Sequence, residues 1–257
     1  MAAKSVRKVP LIIGNWKMYK TTFEARAFLE TLAPQLGKSQ AEVYLAVPFT
    51  AIEAAAKQVE KLHAPIVIGA QNMNDASEGA FTGEIAARML KEAGAQFVIL
   101  GHSERRKYFN ETDELVNKKI KRALSDGLRP VVCVGETGEQ HEKGEREKVL
   151  KEQLLKSLDG MEEADFKTLV VAYEPVWANG TGKVASPENA ESAHLFCRDV
   201  LAEVWGKRVA KLVKILYGGS VNGENAAALL AEPDIGGLLV GGASLSPESF
   251  LQIINSC

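Results

Sequence analysis

The stretch Leu169-Val170-Val171-Ala172-Tyr173-Glu174-Pro175 sets the reading of the whole chain. Its first five residues are apolar throughout rather than alternating, as suits a strand buried on both faces of a parallel sheet. It then stops at a carboxylate directly before a proline, a placement that strand packing does not explain. Seven further runs of the same kind flank it: Leu11 to Ile13, Val43 to Val47, Ile66 to Ala70, Phe97 to Leu100, Pro130 to Val134, Lys214 to Tyr217 and Leu238 to Val240. A glycine or polar cluster and then a longer segment with helical spacing recur between these runs.

Several helix starts have a local cause. Ser186 before Pro187 and Glu188, and Ser246 before Pro247 and Glu248, set a capping hydroxyl ahead of a proline at the first helical position. Thr112, Asp113 and Glu114 open a run that reaches Asp126, where Gly127 supplies a stop. Eight strand-then-helix units in 257 residues predict an α/β fold of the closed (β/α)8 barrel type, eight parallel strands surrounded by helices, because an open sheet of this length would leave edge strands. No linker, low-complexity tract or internal repeat divides the chain, so residues 1–257 are expected to form a single domain.

A formal net charge of -2 gives no global positive field to hold nucleic acid or an anionic membrane surface, so neither is expected as a partner. Cys133, Cys197 and Cys257 are odd in number and include no CxxC pair, which argues against a disulfide framework and fits a cytoplasmic location. Lys4, Arg7 and Lys8 precede Leu11, Ile12 and Ile13, but this apolar run is too short for a signal or a membrane span and meets Asn15 and Lys17 at once. A soluble protein is expected.

In such a barrel the chemistry gathers where strands end. The first strand ends in Gly14, Asn15, Trp16 and Lys17, the fourth in Gly101, His102, Ser103 and Glu104, and the sixth in Glu174. The seventh ends in Gly218, Gly219 and Ser220, and the eighth in Gly241 and Gly242. Glycines after the last two strands let backbone N–H groups approach a ligand, which suits a phosphate. Glu174 is then the candidate general base, Lys17 stabilises charge developing on a substrate oxygen, and His102 and Asn15 hydrogen-bond it. The implied reaction is proton abstraction next to a carbonyl, with no cofactor and no metal. Taken singly, Lys17 reads as a solvated charge, His102 as a satisfied polar residue and the glycines as turns; their joint placement at one mouth favours a site.

The segments Gly14 to Met18 (GNWKM), Gly101 to Arg106 (GHSERR), Ala172 to Ala178 (AYEPVWA) with Gly180 to Lys183 (GTGK), Tyr217 to Val221 (YGGSV) and Leu239 to Leu245 (LVGGASL) resemble, in order and spacing, the signatures of the triosephosphate isomerase family. The resemblance covers essentially the whole chain. It implies a TIM barrel that interconverts D-glyceraldehyde 3-phosphate and dihydroxyacetone phosphate through an enediolate. By this resemblance Glu174 shuttles the proton, His102 acts as a neutral electrophile, Lys17 and Asn15 complete the site, and Gly180, Ser220, Gly241 and Gly242 hold the phosphate. Glu104 resembles the carboxylate beside the site lysine, and Ser103 the partner of the base in the open enzyme.

Pro175, Val176, Trp177, Ala178, Asn179, Gly180, Thr181, Gly182 and Lys183 fall in the segment, running on to Ala185, that resembles the family's closing lid. Trp177 and Glu136 are implied to favour its open state, Tyr217 and Ser220 its closed one. The family usually has isoleucine where this chain has Asn179, and with a leucine matching Leu239 it clamps the base in apolar surroundings; Asn179→Ile is expected to raise turnover. Gly236 and Gly237, where Asp and Gly are commoner, are expected to affect only local backbone. The polar segment from Gln71 to Glu84 is too long for an ordinary connection and resembles the intersubunit loop, implying a homodimer in which Thr82 supports the partner's Asn15 and Lys17.

Weaker signals point elsewhere or nowhere. The GTGK segment lacks the first glycine and the following Ser or Thr of a nucleotide-binding loop. Lys118, Lys119, Lys121 and Arg122 read as a solvated helix face. His63, His141 and His194 lack metal-ligand spacing, and Cys133 reads as a packed thiol near the site rather than a nucleophile. Another phosphate-binding barrel enzyme, or a catalytically inactive binding protein, remains the alternative.

Overall fold

The computed structural model describes residues 9–37, 39–178 and 185–257. The strands β1 (Leu11–Asn15), β2 (Glu42–Ala46), β3 (Ile66–Ala70), β4 (Phe97–Leu100), β5 (Arg129–Val134), β6 (Val170–Tyr173), β7 (Lys214–Tyr217) and β8 (Gly237–Val240) pair in parallel, in sequence order, and close into a barrel. Closure is visible in Leu11, which registers with Glu42 on one side and Gly237 on the other. Gly237 has φ +152°, and a Cβ there would lie 2.0 Å from the Leu11 carbonyl oxygen, so this closure needs a glycine.

Around the barrel run α1 (Thr22–Leu32), α2 (Ile52–Lys61), α3 (Ala87–Glu92), α4 (Ser103–Phe109), α5 (Asp113–Ser125), α6 (Gly138–Glu142), α7 (Arg146–Ser157), α8 (Pro187–Trp205), α9 (Lys207–Leu212), α10 (Ala226–Leu230) and α11 (Pro247–Ile254). The expected caps are present: Thr112, Ser186 and Ser246 each accept a hydrogen bond from the backbone N–H three residues on. Gly127, at φ +74°, ends α5 as expected.

Why the strands are apolar throughout follows from two cores. Leu11, Ile13, Val131, Cys133, Val170 and Ala172 fill the barrel interior, while Ile12, Val132, Val134, Val171 and Tyr173 pack outward beneath the helices. Strand alternation carries this inward parity upward. Leu11, Ile13 and then Asn15, like Val170, Ala172 and then Glu174, end at the carboxyl-terminal mouth of the barrel.

Strand ends differ from the sequence expectation by one or two residues. The first strand continues through Gly14 and Asn15, because both still pair with Leu45 and Ala46. One expectation fails outright. Lys119 is not solvated but buried, because it lies three residues after Val116 on the inward face of α5, where its ammonium pairs with Glu111 and donates to Asn72 Oδ1 at 2.9 Å.

Candidate active site

Asn15, at the end of β1, turns its side chain back on its own loop. Its Oδ1 accepts the Lys17 N–H at 3.0 Å and so supports Lys17 in the left-handed region at φ +52°. The Lys17 ammonium is 2.6 Å from Glu104 Oε1, in the first turn of α4, so the two residues are paired as the resemblance implied.

His102 caps the N-terminus of α4. Its Nδ1 accepts the Glu104 N–H at 3.2 Å, which leaves the ring proton on Nε2. That nitrogen lies 2.9 Å from Glu174 Oε1, and the Ser103 N–H donates to Glu174 Oε2 at 3.0 Å. Both carboxylate oxygens therefore have a donor in a site where Glu174 is only 2% exposed.

Burial is the strongest single influence on Glu174 and alone would raise its pKa. The pairing with the His102 ring, the Ser103 N–H and the Lys17 charge outweigh it and hold the carboxyl below its ordinary value. On His102 burial acts to lower the pKa, and the Glu174 charge and hydrogen bond reverse this into a net rise. Cys133 is fully buried against Glu174; burial first, and the Glu174 charge second, push its thiol well up, so it stays protonated and is no nucleophile.

A cavity of about 1100 Å³ joins these groups to the far rim of the barrel. Asn15, Lys17, His102, Ser103, Glu104 and Glu174 line it together with Ser220, Leu239, Gly241 and Gly242. Gly241 sits beside the lysine, since a Cβ there would be 3.5 Å from Lys17 Cε. Its carbonyl is tied down by the Ser244 hydroxyl at 2.7 Å. Tyr217 is buried just below, its phenol pushed up to about 12 by burial against the opposing effect of the Ala185 N–H.

Of the lid residues, Pro175, Val176, Trp177 and Ala178 are described, the last three as a short helical turn. Trp177 Nε1 donates to Glu136 Oε1 at 2.8 Å, the oxygen that also accepts the Tyr173 hydroxyl at 3.0 Å. The His141 ring stacks on Trp177 with centroids 4.2 Å apart, a contact that no sequence pattern announced. The expectations placed on Asn179, Gly180, Thr181, Gly182 and Lys183 lie outside the described residues. Thr82 belongs to an exposed stretch, residues 77–84, and does not line the cavity of its own chain. Sequence reasoning passed over Glu111 and gave Arg106 no role, although both bond to Gly101. The signal for Arg106 was its place within GHSERR.

A carboxylate, an imidazole and an ammonium at the carboxyl end of a closed parallel barrel define the class: a (β/α)8-barrel protein with a pocket fitted for proton transfer on a small anion. The family model described as Triosephosphate isomerase matches residues 10–257. A relative named triosephosphate isomerase from Protochlamydia amoebophila is 53% identical over 245 residues, covering 95% of this chain and 92% of its own. Relatives of the same name from Carboxydothermus hydrogenoformans and Caldanaerobacter subterraneus are 49% and 48% identical, over 95% and 96% of this chain and 97% and 98% of their own. The chain belongs to the triosephosphate isomerase family.

Proposed function

We propose that Glu174, His102 and Lys17 carry the interconversion of D-glyceraldehyde 3-phosphate and dihydroxyacetone phosphate, the activity of this family. Glu174 takes a proton from the carbon next to the carbonyl and returns it to the neighbouring carbon, with an enediolate between, while the hydroxyl proton on the first carbon's oxygen passes by way of His102 Nε2 to the former carbonyl oxygen. No cofactor is called for, because the hydrogen removed from one carbon is restored to the other. His102 Nε2–H and the Lys17 ammonium face the substrate oxygens, where charge develops. Ser220, Gly241, Gly242 and Gly180 receive the phosphate.

The resting geometry supports a base that strengthens on use. Glu174 is held acidic chiefly by the His102 N–H, so a substrate oxygen that captures this donor releases the carboxylate to the full effect of burial, which raises its proton affinity. Closure of the segment resembling a lid would exclude water and strengthen that effect.

The observation that carries the proposal is the 2.9 Å contact between Glu174 and His102 inside a cavity shared with Lys17. A coupled assay with glyceraldehyde 3-phosphate tests it. Rapid turnover abolished by Glu174→Gln is expected, and unchanged turnover in that variant would refute the assignment.

A homodimer belongs to the same proposal. Residues 77–84 are exposed in succession and include Phe81 at 53%, while Met18 is 95% exposed next to the site lysine. A second copy that covered both would complete the site, with Thr82 reaching the partner's Asn15 and Lys17. A solution mass of one chain combined with full activity would refute it. A cytoplasmic residence belongs to the same reading, supported by Cys133 and Cys197, which are buried as free thiols; no helix among the described residues is long and apolar enough to cross a membrane.

A further inference from the structure

The β4–β5 ladder runs through the pair Leu100 and Val132 and stops there, because β4 leaves the sheet at Gly101, whose φ is +68°. On the parallel hydrogen-bond pattern the next acceptor along β5 is the Cys133 carbonyl, which would look for an N–H at His102. Among the described residues no hydrogen bond from that N–H to the Cys133 carbonyl forms. A buried carbonyl left without a donor at this level would be costly.

Arg106 fills the gap. From α4 its Nε donates to the Gly101 carbonyl at 2.8 Å and its Nη2 to the Cys133 carbonyl at 3.2 Å, while Nη1 reaches Asp113 Oδ1 at 2.5 Å. The side chain is 17% exposed and that of Asp113 15%, so the fork is largely removed from water and neutralised where it works. A planar guanidinium offers donors in a fixed fork, which a lysine cannot imitate.

We propose that Arg106 is a positioning residue for the isomerisation. It continues the β4–β5 pairing with a side chain where backbone pairing ends, and so sets the distance between His102, the next residue after Gly101, and Glu174. The link to Glu174 is short, because Val134, next to Cys133, accepts the Glu174 N–H at 2.8 Å and the Cys133 thiol packs on the Glu174 side chain. Asp113 is the counter-charge that orients the fork. The inference rests on Glu174 and His102 being the reacting pair, which Glu174→Gln tests separately.

Arg106→Ala and Arg106→Lys, with Asp113→Asn as a milder variant that keeps a hydrogen-bond partner, would be assayed with glyceraldehyde 3-phosphate, and their folded fraction measured by circular dichroism. Loss of alignment predicts a fall in kcat on the order of 10²-fold for Arg106→Ala at nearly unchanged KM. Arg106→Lys is expected to recover little of it, and Asp113→Asn to fall between wild type and alanine. Millimolar guanidinium is expected to restore part of the Arg106→Ala turnover, whereas methylammonium is not. A role confined to stability predicts the opposite: a lower melting temperature with kcat per folded chain intact and no response to guanidinium. That result, or full activity in Arg106→Lys, would overturn the proposal. Should Arg106→Ala not fold, Asp113→Asn decides: a folded protein with wild-type kcat overturns the proposal, and a reduced kcat with unchanged KM supports it. Wild-type turnover that survives Glu174→Gln would instead sink the underlying assignment.

Discussion

Gly135→Ala tests whether the position of the Glu174 carboxylate is set by backbone packing between β5 and β6. Gly135 follows β5, and a Cβ placed on it would lie 1.8 Å from the Glu174 carbonyl oxygen and 2.7 Å from its carbonyl carbon. Those are backbone atoms, so no rotamer change relieves the overlap. Reaching an ordinary contact requires the two chains to part by roughly 1.5 Å, a strain that costs about 1–3 kcal/mol. The Glu174 side chain is aimed by contacts of 2.9 and 3.0 Å to His102 and Ser103, which cannot both survive that displacement. A misplacement of about 1 Å is enough for a loss near 10²-fold. The expected outcome is therefore a folded protein with kcat lowered about 10²-fold and urea stability lowered by about 1–3 kcal/mol. Gly37→Ala is the control, since nothing lies within 4 Å of the added carbon. A Gly135→Ala enzyme with wild-type kcat would show that the carboxylate is aimed by something other than this backbone approach.

Burial alone would raise the Glu111 pKa, but the Lys119 charge and hydrogen bond, followed by Arg105, hold it below 4.5. Its stabilisation is therefore complete above the unfolded-state value and is lost as pH falls through the depressed folded one; Glu111→Gln should cost about 3–5 kcal/mol in urea unfolding at neutral pH. The gap between the two proteins should narrow only below pH 4.5, and a gap that closes at pH 6 would refute the assignment. His194 is fully buried, and burial pushes its pKa down to about 3 from 6.5, so between those values the unfolded chain binds the extra proton and stability falls as pH drops. His194→Gln should lose less stability than wild type between pH 6.5 and pH 4, and parallel pH profiles would count against a neutral buried ring. Lys17 and Glu104 are each at least one-third exposed. Glu104→Gln should consequently change stability by less than about 1 kcal/mol while lowering kcat, and a stability loss without a kinetic effect would make the pair structural.

The parts of the fold that could be read from the chain are those written in local chemistry. Apolar runs such as Val170 to Tyr173 announce strands because both faces are buried, and Ser186-Pro187 or Ser246-Pro247 announce helix starts because the cap and the proline act within one turn. Glu174, His102 and Lys17 were legible for the same reason, as polar residues directly after strands. Contacts between distant positions left no such mark. Lys119 looked like one charge in a run of four, and only its partner eight residues upstream, together with Asn72, explains its burial. The stacking of His141 on Trp177 joins residues 36 positions apart through the packing of α6 on the turn after β6, which periodicity cannot express.

The Gly101 peptide shows how these two kinds of information meet. Its N–H donates to Glu111 Oε2 at 3.1 Å and its carbonyl accepts from Arg106, so both polar groups are held by residues within the next ten positions. The segment from Gly101 to Asp113 thus folds back to clamp the residue that begins it, and His102 inherits a fixed origin. A strand end at a barrel mouth necessarily leaves backbone groups without ladder partners, and an active site must be placed where such groups occur. Here the side chains that satisfy them, Arg106 at β4 and β5, Glu111 at Gly101 and Gln153 at Gly135, bond to backbone next to His102 or packed against Glu174. Stability and alignment should therefore be coupled at these three positions, and substitutions there should move kcat and melting temperature together, whereas Glu104, whose carboxylate pairs with the Lys17 ammonium rather than with strand backbone, should move kcat alone.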